Sequence, residues 1–241
     1  MKVIAMIPAR LGSKRIKKKN LRLIDGKPLI SYVLDSVAKC ECFDEVYINS
    51  EAPIFDEIAK AHGCNFYQRP ESLSSDQATN DEFCYDFMQN VNGDIIIQIL
   101  PTSPFITTGE IEDFTNSMLK DKCDTLISVE DKQIACIYRG HPINFDKQKI
   151  NPPSQSMISV QAYATVLMGW TYENYDKNMQ KFGSAYHGGD GKVSYFPLRG
   201  LSTIDIDREE DFLLAESIIL SKKIEQNKSI DYYGEKSEAC L

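Results

Sequence analysis

Short apolar runs alternate with amphipathic segments along most of the chain. Residues 3–7 and 94–100 are the clearest apolar runs, and each has the length of a strand that is buried on both faces. Shorter runs predict further strands at 45–49, 65–67, 124–129, 193–196 and 203–206. Apolar residues at helical spacing predict helices at 27–37, 53–61, 80–91, 107–119 and 208–224. This alternation predicts an α/β fold, with a mostly parallel sheet flanked by helices on both faces.

The regular pattern stops between residues 139 and 185. Prolines interrupt the first half of this segment, and aromatic residues accumulate in the second half, namely Tyr163, Trp170, Tyr172 and Tyr175. We interpret the segment as an arm inserted into a single domain of residues 1–228, with a weakly ordered tail at 229–241. Aromatic enrichment is typical of a subunit interface. A long loop that packs on its own core fits the composition equally well.

Composition narrows the class of protein. The 27 basic and 35 acidic residues give a net charge of −8, which disfavours a general nucleic-acid binder. No apolar run approaches the ~18 residues of a membrane span, and the first residues show no signal-peptide pattern. The seven cysteines are scattered without a CxxC pair, and the three histidines are far apart. We therefore expect a cytoplasmic protein with reduced thiols and no zinc site.

Basic residues concentrate at the start of the chain. The first 24 residues contain eight basic side chains and no acidic one, and most of these lie at 9–20, here called the basic loop. The loop directly follows the first predicted strand, at the edge of an α/β sheet where ligands bind. An anionic partner is the functional interpretation, and a solvated run of charge is the alternative.

The residue types in the basic loop suit a polyphosphate. Gly12 and Ser13 allow backbone amides to approach an anion. The side chains that can neutralise phosphate oxygens or hydrogen-bond to them are Arg10, Ser13, Lys14, Lys19 and Asn20. The loop contains neither GxxxxGK[ST] nor GxGxxG, which argues against an ATPase and against an NAD enzyme.

A second feature follows the strongest predicted strand. Residues 101–104 read Pro-Thr-Ser-Pro, here called the proline-rich turn, and the two prolines fix a rigid turn at the same edge of the sheet. A purely structural turn is the alternative.

A third feature is a pair of carboxylates near the end of the chain. Alternation along the strand predicted at 203–206 places Asp205 and Asp207 on one side, where their mutual repulsion favours a shared cation. Magnesium, shared with nucleotide phosphates, is the natural partner. The alternative is that Asp207 caps the helix that follows, with Glu210 in its capping box.

These places together resemble the N-acylneuraminate cytidylyltransferases (CMP-sialic acid synthetases) and their relatives that activate other 3-deoxy-ulosonic acids. The family carries an AR-x-GSK…KN loop, a PTSP turn after a central strand and an IDID-x-x-x-DF element. This chain has them at 9–20, 101–104 and 204–212. A fourth match, to RP-x-x-L-x-x-D, lies at 69–76. The four matches keep the family's order, and the resemblance covers residues 1 to about 222.

The resemblance implies a nucleotidyltransferase-type, Rossmann-like fold with an inserted dimerisation arm. It implies an enzyme that transfers CMP from CTP to the anomeric hydroxyl of a sialic-acid-like ulosonic acid and releases pyrophosphate. Mg²⁺ is the implied cofactor, and cell-surface polysaccharide biosynthesis is the implied role. The implied partners are CTP, a sugar acid and a second copy of the chain, with no nucleic acid and no membrane.

The resemblance also assigns roles to individual residues. The implied catalytic residues are Arg10, Lys19 and Asp207, and the implied magnesium ligands are Asp205 and Asp207. The implied CTP-binding residues are Ala9, Arg10, Gly12, Ser13, Lys14, Asn20, Arg69, Ala78 and Asn80, of which the last three line the cytosine and ribose pocket. The implied sugar-binding residues are Leu100, Thr102, Ser103 and Tyr163.

The departures from the family pattern all fall on the sugar side. Leu100 stands where the family usually has Gln, Ile106 where it has Arg, and Ala164 where the arm usually carries Arg. A cytidylyltransferase for a different acceptor is therefore one alternative. A non-catalytic nucleotide-binding protein is another, although the retention of both aspartates argues against it. An RNA-binding protein is disfavoured by the acidic balance and by the lack of an aromatic RNA-binding signature.

Overall fold

The structure, a computed structural model, describes residues 1–222 of the 241-residue chain. The tail predicted at 229–241 and the last two residues of the final predicted helix lie outside the described residues. Within the described range, no helix combines the length and the apolarity that crossing a membrane requires.

A seven-stranded sheet forms the centre of the fold. Its strands in chain order are β1 (Val3–Pro8), β2 (Glu45–Ser50), β3 (Asn65–Gln68), β4 (Ile95–Ile99), β5 (Thr125–Lys132), β6 (Val160–Thr171) and β7 (Val193–Leu198). Their order across the sheet is β7-β5-β6-β4-β1-β2-β3. Strand β6 runs antiparallel to both of its neighbours, and the other pairs in the sheet are parallel. The predicted mostly parallel sheet is confirmed.

Helices cover both faces of the sheet, as predicted. They are α1 (Leu29–Val37), α2 (Ile54–Ala61), α3 (Asn80–Asn90), α4 (Thr108–Asp121), α5 (Tyr172–Phe182) and α6 (Glu209–Ser221). Successive side chains of a strand point to opposite faces, so β4 serves two apolar cores. Ile97 packs into a core with residues of α1, α2 and α4, whereas Ile96 packs into a core with residues of α3 and α5.

The second half of the segment predicted as an arm belongs to this core. Strand β6 lies between β5 and β4, and α5 follows it directly. Trp170 and Tyr175 are both 0% exposed, and their rings meet edge to face with 5.5 Å between the centroids. The interpretation of 139–185 as an arm is therefore wrong for residues 160–182, because β6 pairs within the sheet and Trp170 and Tyr175 fill the core.

The remaining irregular segment is shorter than predicted. Residues 133–159, here called the arm, connect β5 to β6 and contain a two-stranded hairpin in which Ile137–Tyr138 pairs with His141–Pro142. Most of the arm is exposed. Its apolar side chains in solvent contact include Ile134, Ile137, Tyr138, Ile143, Ile150 and Ile158.

The prediction of a strand at 203–206 is wrong. Residues Gly200–Thr203 form a 3-10 turn, and residues 204–207 are extended without a ladder partner among the described residues. The Ile206 amide donates to the Thr102 carbonyl at 2.9 Å, so this segment lies on the proline-rich turn. The Ile206 side chain packs in a small apolar cluster with Leu29 and Phe212. Alternation in the sequence indicated the extended backbone but carried no information about its partner.

Candidate active site

Two loops meet at the carboxyl edge of the sheet. Because β1 and β4 are neighbouring parallel strands, the basic loop and the proline-rich turn emerge side by side. Between them lies a cavity of about 490 Å³, here called the basic cavity. The predicted site residues that line it are Ala9, Arg10, Ser13, Lys14, Lys19, Asn20, Arg69, Leu100, Thr102 and Asp207. The structure thus brings most of the predicted site to one place.

Positive charge exceeds negative charge around the basic cavity. Arg10 lies 3.2 Å from Asp76, and Lys14 pairs with the same carboxylate. These two cations, Lys14 first, hold the pKa of Asp76 below its usual value. Across the cavity Asp207 also pairs with two cations, Arg15 at 3.0 Å and Lys19 at 3.3 Å. Four cations share two carboxylates here, which suits an anion that carries several charges.

A buried ion pair between Arg69 and Glu51 holds the start of the basic loop in place. Arg69 is only 4% exposed, and its Nη2 donates to the Ala9 carbonyl at 3.1 Å and lies 3.4 Å from Glu51. The Glu51 carboxylate in turn accepts from the Leu11 amide at 2.8 Å. The Phe83 ring lies 5.0 Å from the guanidinium carbon of Arg69. This network ties the loop to the end of β2 and so orders the cavity wall.

The end of the basic loop turns its lysines to different sides. Lys18 adopts a left-handed backbone conformation with φ of 51°, and a 3-10 turn, Lys19–Leu21, follows. Lys17 and Lys18 point into solvent, whereas the Lys19 side chain is only 13% exposed and donates to the Ile206 carbonyl. Asn20 is buried, and its Oδ1 has no hydrogen-bond partner in the described structure. The backbone conformation therefore directs Lys19 and Asn20 toward the basic cavity and leaves Lys17 and Lys18 in solvent.

The two aspartates near α6 have different surroundings. Asp207 opens onto the basic cavity, whereas Asp205 is largely withdrawn from solvent, and its Oδ1 has no partner in the described residues. Burial raises the pKa of Asp205, the nearby Asp207 charge raises it further, and a hydrogen bond with Thr102 opposes the rise. Asp211 accepts from the amides of residues 207 and 208, at 3.0 and 2.7 Å, and so caps α6. The alternative that Asp207 is the helix cap, with Glu210 in its box, is wrong.

The pair formed by Asp205 and Asp207 fits a magnesium ion. Within residues 1–222 no group of three metal-ligating side chains is assembled. Magnesium bound with a nucleotide commonly takes one or two carboxylates and completes its shell with phosphates and water. The unpartnered Oδ1 of Asp205 and the open carboxylate of Asp207 are hard oxygen donors of that kind. The upward shift of the Asp205 pKa is an electrostatic cost that a nearby cation relieves.

The other predicted residues lie around this centre. Gly12 is exposed at the tip of the basic loop, and the Ala78 amide is used within its own turn, where it donates to the Ser75 carbonyl at 3.3 Å. Ser103 is buried with no partner for its hydroxyl group among the described residues. Asn80 lines an adjoining cavity of about 380 Å³, here called the second cavity, which shares Leu100 with the basic cavity.

Tyr163 lies at the margin of the second cavity. Its ring centroid is 5.7 Å from that of His187, which lines this cavity. The structure therefore places Asn80 in the second cavity, beside Leu100, and not among the residues that line the basic cavity.

Several residues of the site were not predicted. Arg15 and Asp76 line the basic cavity as charged groups. Asp76 is the last residue of the RP-x-x-L-x-x-D match, so a sequence signal for it existed. Glu51 carried no such signal, because a single acid after a strand is common and its partners are distant in the chain.

Two solved structures have a fold similar to that of this chain. A CMP:2-keto-3-deoxy-manno-octonic acid synthetase complexed with CTP is similar with a TM-score of 0.72 and 15% identity, over 92% of this chain and 100% of that chain. A 4-diphosphocytidyl-2C-methyl-D-erythritol synthase from Anaerococcus prevotii is similar with a TM-score of 0.65 and 13% identity, over 91% and 98% of the two chains. These likenesses show that the chain shares its α/β fold with both proteins.

A family model described as cytidylyltransferase matches residues 4–237, and the chain belongs to this family. An N-acylneuraminate cytidylyltransferase of Escherichia coli O18:K1:H7 is 28% identical over 180 residues, 73% of this chain and 39% of that protein. A CMP-N,N'-diacetyllegionaminic acid synthase of Legionella pneumophila is 33% identical over 111 residues, 44% of this chain and 48% of that protein. The chain thus spans less than half the length of these two relatives. The resemblance to the family is confirmed.

Proposed function

We propose that this chain transfers CMP from CTP to the anomeric hydroxyl of a sialic-acid-like ulosonic acid and releases pyrophosphate. The observation that carries the proposal is the excess of cations around the basic cavity, at the carboxyl edge between β1 and β4. Membership of the cytidylyltransferase family supports CTP as the source of the anion. The names of the relatives from Escherichia coli and Legionella pneumophila support an acylated ulosonic acid as the acceptor.

In this proposal the triphosphate displaces carboxylates from their cations. Arg10 and Lys14 are paired with Asp76, whose side chain is 43% exposed and free to swing away. The β- and γ-phosphates take its place on these two cations and accept from Ser13 and the backbone amides at Gly12. Lys19 is the least exposed of the cations that pair with Asp76 and Asp207, so we place it on the α-phosphate, where a desolvated charge acts most strongly.

The chemistry follows from this placement. The anomeric oxygen attacks the α-phosphorus, the bond from that phosphorus to the bridging oxygen breaks, and the electron pair leaves with pyrophosphate. Two carboxylates line the cavity, Asp76 and Asp207, and we assign the acceptance of the hydroxyl proton to Asp207. Catalysis of such transfers comes mainly from positioning and from charge stabilisation, and Arg10 and Lys19 supply both.

We propose that Asp205 and Asp207 hold a magnesium ion beside the phosphates. When bound, the ion supplies further neutralisation of phosphate charge. In this proposal the cytosine lies beside Arg69 and Phe83, which line the basic cavity. Its contact with Ala78 is taken from the resemblance alone. The Nε of Arg69 is buried without a partner in the described structure and can donate to a carbonyl of the base.

We extend the proposal to a homodimer formed through the arm. The arm exposes Ile150 at 97%, Ile158 at 77% and Ile137 at 64%, which is a concentration of apolar surface typical of an interface. A cytoplasmic location and a role in cell-surface polysaccharide biosynthesis belong to the same proposal. Light scattering after size exclusion tests the dimer. The mass of two chains is expected for the wild type and that of one chain for Ile137→Asp/Ile150→Asp. A wild-type monomer contradicts the dimer.

A different acceptor is the second candidate. Leu100 presents an apolar side chain to both cavities, where the resembled family usually has Gln. Pyrophosphate release from CTP, measured with sialic, legionaminic, pseudaminic and octulosonic acids in parallel, separates the two candidates. Release with a nine-carbon acylated acid supports the proposal. Release with octulosonic acid alone supports the second candidate.

A further inference from the structure

Two cysteines separated by one residue lie between α1 and β2, outside the candidate active site. Cys40 and Cys42, here called the cysteine pair, are both half-buried free thiols. The backbone bends at Glu41 and Cys42, so this segment is not fully extended. Two residues of chain span at most about 7 Å, and disulfides join Cα atoms about 4.4–6.8 Å apart. The bent backbone therefore holds the two Cα atoms within reach of one disulfide bridge.

Contacts with α1 and α4 hold the cysteine pair in place. The Glu41 amide donates to the Glu112 carboxylate at 3.0 Å. The Cys40 sulfur lies 3.4 Å from the Ser36 carbonyl oxygen and 3.9 Å from that of Thr108. The Thr108 hydroxyl donates to the same Ser36 carbonyl at 2.8 Å. The segment is thus fastened to the end of α1 and to the first turns of α4, and the two thiols keep a defined arrangement.

The two thiols also contact each other. The Cys40 and Cys42 side chains are hydrogen-bonded, and the Thr115 hydroxyl forms a further hydrogen bond with Cys42. The single S–H of Cys40 therefore has the Cys42 sulfur as an acceptor besides the two carbonyls. A charged sulfur is a better acceptor than a neutral carbonyl, so ionisation of Cys42 draws the Cys40 proton toward it. The pair can hold one thiolate beside one thiol, which is the arrangement that thiol–disulfide exchange requires.

The two thiols differ in acidity. The hydrogen bond from Cys40 lowers the pKa of Cys42, and the Thr115 hydroxyl and the Cys42 backbone amide lower it further, while burial and the Glu112 charge oppose the shift. The same hydrogen bond, together with burial, raises the pKa of Cys40. Because the thiolate is the nucleophilic form of cysteine, Cys42 is the thiol that attacks and Cys40 is the thiol that closes the bridge.

Three other cysteines provide a comparison. Burial raises the pKa of Cys64, Cys84 and Cys123, and the last two are also closed off from solvent. A thiol with a raised pKa is a poor nucleophile at neutral pH, and a buried one is inaccessible as well. An oxidant of low molecular weight should therefore react with the cysteine pair before it reacts with these three thiols.

We propose that Cys40 and Cys42 form a reversible disulfide by exchange with a low-molecular-weight disulfide. The Cys42 thiolate attacks one sulfur of the small disulfide, whose S–S bond breaks, and the electron pair leaves with a small thiolate. Cys40 then gives its proton to solvent, its sulfur attacks that of Cys42, and the second small thiolate leaves. Two protein thiols are thereby oxidised to one disulfide, and one small disulfide is reduced to two thiols.

This inference does not depend on the proposed function. The reduced thiols expected of a cytoplasmic protein are the starting state of the exchange. A transient, redox-sensing bridge is also the kind of disulfide that reducing compartments contain.

Mass spectrometry of the full chain tests the proposal. The reduced wild type is exposed to bis(2-hydroxyethyl) disulfide, quenched with iodoacetamide and digested with trypsin. Cleavage after Lys39 and Lys60 releases both thiols in one peptide, residues 40–60, which contains no other cysteine. We expect this peptide to escape alkylation and to be lighter by two hydrogen atoms, and a dithiol to reverse the change. The bridge should form at least about tenfold faster than Cys64 acquires the small thiol.

Single variants assign the two roles. Cys40→Ser should stop at a stable mixed disulfide on Cys42, because no second thiol displaces the small one. Cys42→Ser should react at Cys40 at least about tenfold more slowly than the wild type reacts at Cys42, because burial still raises the pKa of Cys40. Cys64→Ser removes another half-buried thiol and is the control, which should form the bridge at the wild-type rate.

The same exchange in urea separates the effect of the fold from that of the spacing. In the unfolded chain we expect Cys42 and Cys64 to react at similar rates, because the neighbours that distinguish them are gone. Equal selectivity in the folded and unfolded chains would overturn the inference. A folded wild type that stops at the mixed disulfide, or in which Cys64 reacts as fast as the pair, would also overturn it.

Discussion

The Lys19 ammonium lies 3.3 Å from the Asp207 carboxylate, although 188 positions separate the two residues in the chain. The pair joins the basic loop after β1 to the connection before α6, on one side of the basic cavity. The Lys19 side chain is much less exposed than that of Asp207, at 13% against 43%. Under the proposed function, a phosphate would replace Asp207 as the partner of Lys19, and Asp207 would then be free to hold the proposed magnesium ion.

Replacement of Lys19 tests its place on the α-phosphate. Lys19→Ala should lower kcat and kcat/KM together, by about 10²–10³, because a preorganised charge at the reacting phosphate stabilises the transition state more than the ground state. Steady-state kinetics against CTP give the values. Lys17→Ala is the matched control, since Lys17 points into solvent, and it should stay near wild type. Equal values of kcat and kcat/KM in the two variants would support the alternative that the basic loop is only a solvated run of charge.

Arg10 is expected to act on binding as well as on rate. In the proposal it contacts the β- and γ-phosphates after releasing Asp76, so Arg10→Ala should raise the KM for CTP several-fold. Asp76→Asn should lower that KM or leave it unchanged, because it removes the carboxylate that competes with phosphate. A higher KM for CTP in Asp76→Asn would contradict this exchange.

The sequence predicted the parts of the fold that rest on local pattern. The strands at 3–8 and 95–99 stand out because both of their faces are apolar. The helices that cover them were predicted from apolar residues at helical spacing. Strand β6 was missed because prolines precede it and because Gly169, Trp170 and small residues blur its alternation. The strand predicted at 203–206 does not form, for a different reason. Apolar and polar residues do alternate there, but the Ile206 amide donates to the proline-rich turn and not to a neighbouring strand.

The candidate site also contains residues that the sequence predicted and residues that it did not. The basic loop, the proline-rich turn and the two aspartates were predicted because the residues of each motif are contiguous in the chain. The partners of these groups were missed, because Glu51 meets Leu11 across 40 positions and Arg15 meets Asp207 across 192. The sequence contains no local sign of such pairs.

Removal of one carboxylate tests the magnesium proposal. Asp207→Asn should lower turnover by orders of magnitude and shift the magnesium dependence to higher concentration, because one anionic ligand is lost. Turnover is measured in magnesium titrations buffered with chelator, and circular dichroism checks the fold. Full activity with an unchanged magnesium requirement would remove Asp207 from the metal site.

Asp81 should matter for stability through the loop at 184–187, which it fastens to the start of α3. Asp81→Ala leaves the amides of Ala185 and Tyr186 without their acceptor, and we expect a loss of about 2–4 kcal/mol in the free energy of unfolding. Asp81→Asn keeps an acceptor oxygen and should lose much less. Denaturant titration of both variants gives the difference. A similar loss in the two would show that charge, and not the hydrogen bonds, fastens the loop.

The base preference follows from membership of the cytidylyltransferase family. CTP should be used at least about 10² times better than UTP, because a site that hydrogen-bonds the amino group of cytosine rejects uracil, which lacks that group. Competition between the two nucleotides in one reaction, read by mass spectrometry of the products, measures the ratio. Comparable yields of the two nucleotide sugars would exclude a base-specific pocket.

The central claim is that the basic cavity positions CTP for attack by a sugar acid. The most direct measurement is pyrophosphate release from CTP, with magnesium and an N-acylated ulosonic acid, by the wild type and by Lys19→Ala in parallel. The account predicts release that requires both substrates, yields one CMP-sugar per pyrophosphate and falls by orders of magnitude in the variant. No CTP-dependent release with any ulosonic acid, or equal release by the variant, would contradict it.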